Sequence, residues 1–187
     1  DAYIFPDMEK MYRPELMKDL TKAADILVNS INDKIKIRVI GDYDVDGVTS
    51  TVILYKSLKA LGANVLYYIP NRVTDGYGLN VNAIERLIGK GMELLITCDN
   101  GIAAIEEIKY AKEKGIDVVI YDHHEPVIKD DKEILPEADS VTDAKIENCG
   151  YDFTVMCAGG LCYRVMKSFY EYLGQKYTLE KEMIIFA

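Results

Sequence analysis

Ile35-Lys36-Ile37-Arg38-Val39-Ile40-Gly41-Asp42-Tyr43-Asp44-Val45-Asp46-Gly47 is the stretch on which the reading of the chain turns. Its β-branched first half, Ile35 to Ile40, stops at Gly41 and reads as a strand. The residues from Val48 to Leu61 have a helical pattern closed by Gly62, a residue suited to a helix C-terminus. Between them three carboxylates, Asp42, Asp44 and Asp46, occupy alternate positions. Like charges this close repel and raise one another's pKa, a cost that a hard divalent cation with oxygen ligands removes. A solvated acidic loop or a helix cap is the plain alternative. A calcium hand is excluded: the Glu required six residues after the Gly is Ile53, and a strand rather than a helix precedes the loop.

Working outward, strand and helix patterns alternate. Asn64 to Ile69 reads as a strand and Val81 to Ile88 as a helix. Glu93 to Cys98 is a strand, Ile102 to Lys114 a helix ended by Gly115, and Asp117 to Tyr121 a strand. A weaker strand falls near Ser140 to Thr142. Thr154 to Tyr172 is expected to be a helix, with another starting near Thr178. Upstream, Asp7 to Ile31 carries apolar residues at helical spacing, with Pro14 suiting a first turn. Residues 1–34 are therefore expected to be a helical segment packed on a domain spanning 35–187. The alternation predicts an α/β fold: a doubly wound, mainly parallel sheet with helices on both faces, whose functional groups gather at the carboxyl ends of the strands.

Two further acidic motifs obey that rule. Asp99-Asn100-Gly101 follows the third strand and Asp122-His123-His124 the fourth. Each has an ordinary reading, Asp99 as an N-cap for a helix from Ile102 and the histidines as packed or surface residues. Their convergence on one sheet edge favours a joint site. Carboxylates with imidazole suit manganese or magnesium better than zinc–thiolate chemistry, and a metal pair sharing a carboxylate suits phosphoester hydrolysis.

The bulk numbers set bounds. At 187 residues, 49% hydrophobic and 28% charged, the chain can bury the core of one domain. Its longest apolar clusters, Met183 to Ala187 and Val118 to Tyr121, are far short of a membrane span, and no signal peptide is visible, so a cytoplasmic location and no membrane partner are expected. Cys98, Cys149, Cys157 and Cys162 form no CxxC pair and read as reduced structural residues, with Cys98 and Cys157 in apolar stretches. A net charge of −9 disfavours a polyanionic partner unless metal ions or a separate basic region supply positive charge. Opening on Asp1 and stopping within an apolar run, the chain is expected to be a piece of a longer protein.

The three motifs, Gly41 to Gly47, Asp99-Asn100-Gly101 and Asp122-His123-His124, resemble in order the first three motifs of the DHH phosphoesterases. Pro70-Asn71-Arg72-Val73-Thr74-Asp75-Gly76-Tyr77-Gly78-Leu79 resembles the segment between the first two motifs in the RecJ-like exonuclease branch. Ala158-Gly159-Gly160 is similar to that branch's Gly-containing motif. The resemblance runs from about Ile35 to Met166. It implies a DHH domain with two Mn2+ or Mg2+ ions, Asp44 and Asp46 as ligands, Asp99 as a bridge and His123 completing a metal site. His124 would contact the scissile phosphate. Asp42 stands where the wider family often has a His slightly earlier. Asp122 is either a ligand or the partner that orients an imidazole. Arg72 reads either as a bidentate phosphate donor or as a surface residue, and Gly159 and Gly160 as substrate-side backbone. The family's fourth-motif Asp and its second, substrate-gripping domain would fall beyond Ala187.

The function so implied is hydrolysis of phosphodiesters in single-stranded DNA from the 5′ end, in recombination and repair, with repair or replication proteins as partners. Two alternatives stand beside it. One is a DHH phosphodiesterase acting on nanoRNA, cyclic dinucleotides or phosphoadenosine phosphate. The other is a noncatalytic DHH scaffold.

Overall fold

Three strands of the chain are buried on both faces and form the centre of a sheet. In the computed structural model, which describes residues 16–73 and 78–186, the order is α1 (Leu20–Asn32), β1 (Ile37–Ile40), α2 (Val45–Ala60), β2 (Val65–Tyr68), α3 (Val81–Gly89), β3 (Leu94–Cys98) and α4 (Ile105–Glu113). Then come β4 (Asp117–Tyr121), β5 (Val127–Lys129), β6 (Lys132–Ile134), β7 (Ser140–Thr142), α5 (Ala158–Tyr172) and α6 (Glu180–Met183). β1 and β3 are buried at every position and β4 at all but its first, as expected of parallel strands covered on both faces.

The main sheet has the order β2-β1-β3-β4-β7, with every pairing parallel. From β1 the chain moves outward through α2 to β2. It then crosses back past β1 through α3 to β3, and continues through α4 to β4. Right-handed crossovers in these opposite directions put α2 on one face and α3 and α4 on the other. α5 packs on α2, and α1 packs on α5 and β7. This is the doubly wound architecture the alternation implied. Its topological switch point lies between β1 and β3, where such sheets open a crevice beyond their carboxyl ends.

The register has a consequence for chemistry. Ile40 pairs with Thr97, Thr97 with Ile120, and Ile120 with Val141. Two residues beyond each member of that row stands an aspartate: Asp42, Asp99, Asp122 and Asp143. Four neighbouring strands thus deliver four carboxylates to one edge, and all four are buried.

Several boundaries differ from the sequence reading, each for a local reason. α2 begins at Val45, three residues early, because the Asp44 side chain caps it by accepting from the Gly47 N–H at 2.9 Å. α4 begins at Ile105 and not Ile102. Asp99 and Gly101 take positive φ (59° and 114°) and turn the chain first, so Asp99 is not the N-cap of that helix. α5 begins at Ala158 and not Thr154, with Cys157 Sγ accepting from the Gly160 N–H at 3.3 Å. Cys157 is accordingly exposed, against the expectation of burial, while Cys98 is buried. The hairpin β5–β6 was not anticipated. Its turn, Asp130-Asp131, has both residues at positive φ without a glycine to signal it.

α1 begins at Leu20 and buries Leu20, Ala23, Ala24 and Leu27. Residues 16–19 of the expected helix form turns, with Asp19 at a φ of 60°, and the part before them, including Pro14, lies outside the described residues. Among the described residues no helix is long and apolar enough to cross a membrane.

Gly47 locks the acidic loop onto α2, because a Cβ there would lie 2.5 Å from both the backbone N and O of Asp42. Gly47→Ala is therefore expected to cost about 1–3 kcal/mol of overpacking, read as a lowered midpoint in urea unfolding with an unchanged m value.

Candidate metal centre

β1 ends in the first acidic group. Asp42 is 3% exposed, and its Oδ1 has no hydrogen-bond partner among the described residues. Its pKa is raised, by burial first and by the neighbouring Asp44 as well, against the opposing Tyr43 backbone bond. Asp44 is exposed at the N-terminus of α2. Asp46, in the first turn of α2, is gripped by another helix: its Oδ2 accepts from the Ala158 N–H and its Oδ1 from the Gly159 N–H, both at 2.8 Å. The N-terminus of α5 is thus aimed at a carboxylate, the favourable sense of the helix dipole.

Gly159 permits that approach. A Cβ there would stand 2.7 Å from Phe186 O and 3.4 Å from Asp46 Oδ1. The structure therefore engages the Gly159 N–H with Asp46 and the Gly160 N–H with Cys157, not with an open cleft.

β3 supplies Asp99, 2% exposed and in the left-handed region. Burial raises its pKa, with Asp46 and Asp44 adding to the shift and the His123 hydrogen bond opposing it. Beside it Asn100 Nδ2 donates to Cys98 O at 3.1 Å and to Ile40 O at 3.4 Å, tying the ends of β1 and β3 together.

β4 supplies the imidazoles. His123 Nδ1 lies 2.9 Å from the Met156 carbonyl, which can only accept, so Nδ1 carries a proton. Nε2 faces Asp99 Oδ1 at 3.0 Å and Asp46 Oδ2 at 3.6 Å. The bond to Asp99 raises the pKa of His123 against the effect of burial. This is the geometry of a ligating imidazole, with one nitrogen tethered to backbone and the other turned into a nest of carboxylates.

His124 is held differently. Its Nδ1 is 2.7 Å from Asp122 Oδ1, a contact that pushes its pKa up to about 9. The contact favours the charged form of the ring. Asp122 is fully buried, with Oδ2 accepting from the Ile102 N–H at 2.9 Å and Oδ1 from both the His123 N–H and His124. Both its oxygens are committed to protein donors.

Among the described residues two groups bring ligand atoms within 4.8 Å of one another: Asp42, Asp44 and Asp99, and Asp99, His123 and His124. They share Asp99. A crowd of carboxylates, two of them buried and one of these with an oxygen lacking a donor among the described residues, beside a neutral-capable imidazole nitrogen, has the donor chemistry of a hard divalent cation site.

Arg72 is brought near by stacking, its guanidinium 5.5 Å from the centroid of the Tyr43 ring. Thr74 to Tyr77 of the second motif segment lie outside the described residues. The sequence reading missed Asp143, beyond β7. Its Oδ1 accepts from the Lys145 N–H at 2.8 Å, its Oδ2 has no partner, and burial raises its pKa to about 7. The strand-end rule would have found it had Ser140 to Thr142 been weighed as a full member of the sheet.

A doubly wound domain with carboxylates and imidazole converging on its switch point belongs to the class of α/β domains built around hard-metal sites. The model of the DHH family, N-terminal domain, matches residues 36–186, and the chain belongs to that family.

Among curated relatives it is 41% identical over 154 residues to the single-stranded-DNA-specific exonuclease RecJ of Bacillus subtilis (strain 168), covering 82% of this chain and 19% of that protein. It is 35% identical over 160 residues to RecJ of Haemophilus influenzae, covering 85% of this chain and 27% of the relative. The chain thus spans only about a fifth to a quarter of the length of these two relatives. A crystal structure of exonuclease RecJ bound to manganese superposes with a TM-score of 0.73 at 30% identity, over 87% of this chain and 40% of that one.

Because burial holds Asp143 protonated to about pH 7 in the folded chain, folding is favoured below its ordinary pKa and loses stability as pH rises from about 4 to about 7. In metal-free buffer Asp143→Asn should remove this slope and be more stable than the parent at pH 8, with the difference shrinking toward pH 4. Chemical denaturation across that range reads it directly.

Proposed function

We propose that this domain is the catalytic part of a manganese- or magnesium-dependent exonuclease that hydrolyses single-stranded DNA from the 5′ end and serves recombination and repair. The observation that carries the reading is the pair of ligand groups sharing Asp99 at the switch point, with the buried Asp42 Oδ1 left without a donor. Similarity to RecJ, one structure of which holds manganese, supports the same assignment.

In this reading Asp42, Asp44, Asp46, Asp99 and His123 would hold two ions, Asp99 being common to both ligand groups. When bound, the ions lower the pKa of water and offset charge on the phosphate oxygens. The chain's own residues do the rest. The Met156 carbonyl fixes the His123 tautomer so that Nε2 is presented to the centre. Asp122 keeps His124 protonated and aimed, and His124 donates to a nonbridging oxygen of the scissile phosphate, countering charge as it develops there. Asp122 acts as an orienting partner: fully buried, it spends Oδ1 on the His123 N–H and the His124 ring and Oδ2 on the Ile102 N–H. Arg72, steadied by Tyr43, offers a bidentate donor to a backbone phosphate. The α5 N-terminus, through Gly159, holds Asp46 in place.

The test is manganese-dependent degradation of end-labelled single-stranded DNA by the full-length protein. Metal-dependent release from the 5′ end is expected, with Asp44→Ala reducing the rate by at least about a thousandfold. Turnover of dinucleotides without cleavage of long strands would replace the reading with a small-substrate phosphodiesterase. Asp122→Asn should leave manganese affinity within about tenfold yet lower kcat by about 10–100-fold. It should also shift the alkaline limb of the pH profile downward, because His124 loses the partner that raises its pKa.

A further inference from the structure

The carboxyl edge of the sheet carries charge in a pattern. The three inner strands β1, β3 and β4 end in the carboxylates and imidazoles of the metal centre. Beyond the outermost strand on one side, β2, comes Arg72, and beyond the outermost strand on the other, β7, comes Lys145. Four inter-strand steps separate β2 from β7, about 19 Å at the usual spacing. The anionic centre is thus flanked by one cation following each edge strand.

Lys145 is placed for use. Asp143 Oδ1 accepts from its backbone N–H at 2.8 Å, an Asx-type turn that sets the direction of the chain leaving β7. Its charge acts on both Asp143 and His124. Its side chain is 26% exposed, and its Nζ lies 3.0 Å from Glu125 Oε1, whose own side chain is 79% exposed. Such an ion pair contributes little and is easily exchanged for a more highly charged partner. An ammonium with three donors suits a phosphate as a point charge. In a chain of net charge −9, a cation beside the imidazolium of His124 is also a local correction to the field that a polyanion meets.

We propose that Lys145 is a phosphate-binding residue of the site. It contacts the strand's backbone at the phosphate next to the one held by His124, with Glu125 as its resting counter-ion. The inference rests on the exonuclease reading and adds the β7 side of the substrate track to it.

Steady-state cleavage of labelled single-stranded DNA by the full-length manganese enzyme tests it, with Lys145→Ala, Lys145→Arg and Glu125→Gln compared across salt concentrations. Lys145→Ala should raise KM about tenfold with kcat within about threefold. It should also flatten the slope of log affinity against log salt by about 0.7, the share of one single-strand phosphate contact. Lys145→Arg should restore most of the KM. Glu125→Gln should leave KM unchanged or lower it, because it frees the ammonium.

An unchanged KM and salt slope in Lys145→Ala overturns the proposal. So does a Glu125→Gln defect equal to that of Lys145→Ala, the signature of a purely structural ion pair. If the parent enzyme cleaves no DNA, the exonuclease reading fails by itself. Fluorescence anisotropy with a short single strand then decides Lys145 separately, and an unchanged Kd in Lys145→Ala rejects its role.

Discussion

Electrostatic crowding at the sheet's carboxyl edge is the constraint to which the rest of this structure responds. Asp42, Asp44, Asp46 and Asp99 are brought together by backbone register and a single helix turn, and two of them are buried. For the two buried ones, Asp42 and Asp99, burial first and then the neighbouring carboxylates favour the uncharged form. The fold answers with donors aimed inward: the first N–H groups of α5 on Asp46 and the Gly47 N–H on Asp44, with His123 Nε2 set beside Asp99. What these leave over, including the Asp42 oxygen without a partner among the described residues, is uncompensated negative charge of the kind a hard divalent cation offsets.

The same constraint explains the placement of the glycines and the helices. Gly47 lets α2 start against the backbone of Asp42, and Gly159 lets the amino end of α5 reach Asp46, where any side chain would intrude. α5 packs along α2, so the apolar contact between these helices and the polar contact at their shared end hold each other in place. Asp122 belongs to this supporting layer. By accepting from Ile102 it anchors the turn after Asp99, and by accepting from His124 it keeps that ring charged. One buried carboxylate thereby couples the end of β3 to the end of β4.

Much of this was legible before any coordinates. Glu93 to Cys98 and Asp117 to Tyr121 are nearly continuous apolar runs that suit a strand covered on both faces, Ile35 to Ile40 is rich in β-branched residues, and acids follow all three at one edge of the sheet. The hairpin β5–β6 was not legible, because Asp130-Asp131 adopts positive φ without glycine. The start of α4 was misplaced because Asp99 is bent out of helical geometry by its site, so a residue type that ordinarily caps helices does other work here. Cys157 looked like a core thiol from its apolar neighbours, yet it caps α5 at the surface. Asp143 and Lys145 escape the sequence reading because the three-residue β7 reads only as a weaker strand, and its carboxyl end was not counted with the others.

The sequence by itself determined the alternation of strand and helix, the parallel doubly wound sheet and the edge on which the acids gather, because these follow from apolar runs and turn residues close together in the chain. Only the tertiary structure decided what each acid does. Asp46 meets the amino end of α5 across more than a hundred residues, His123 takes its tautomer from the carbonyl of Met156, and Asp122 spends its oxygens on Ile102 and His124. Whether a carboxylate is a ligand, an anchor or an orienting partner depends on which donors surround it, and those donors come from segments that meet only once the chain has closed.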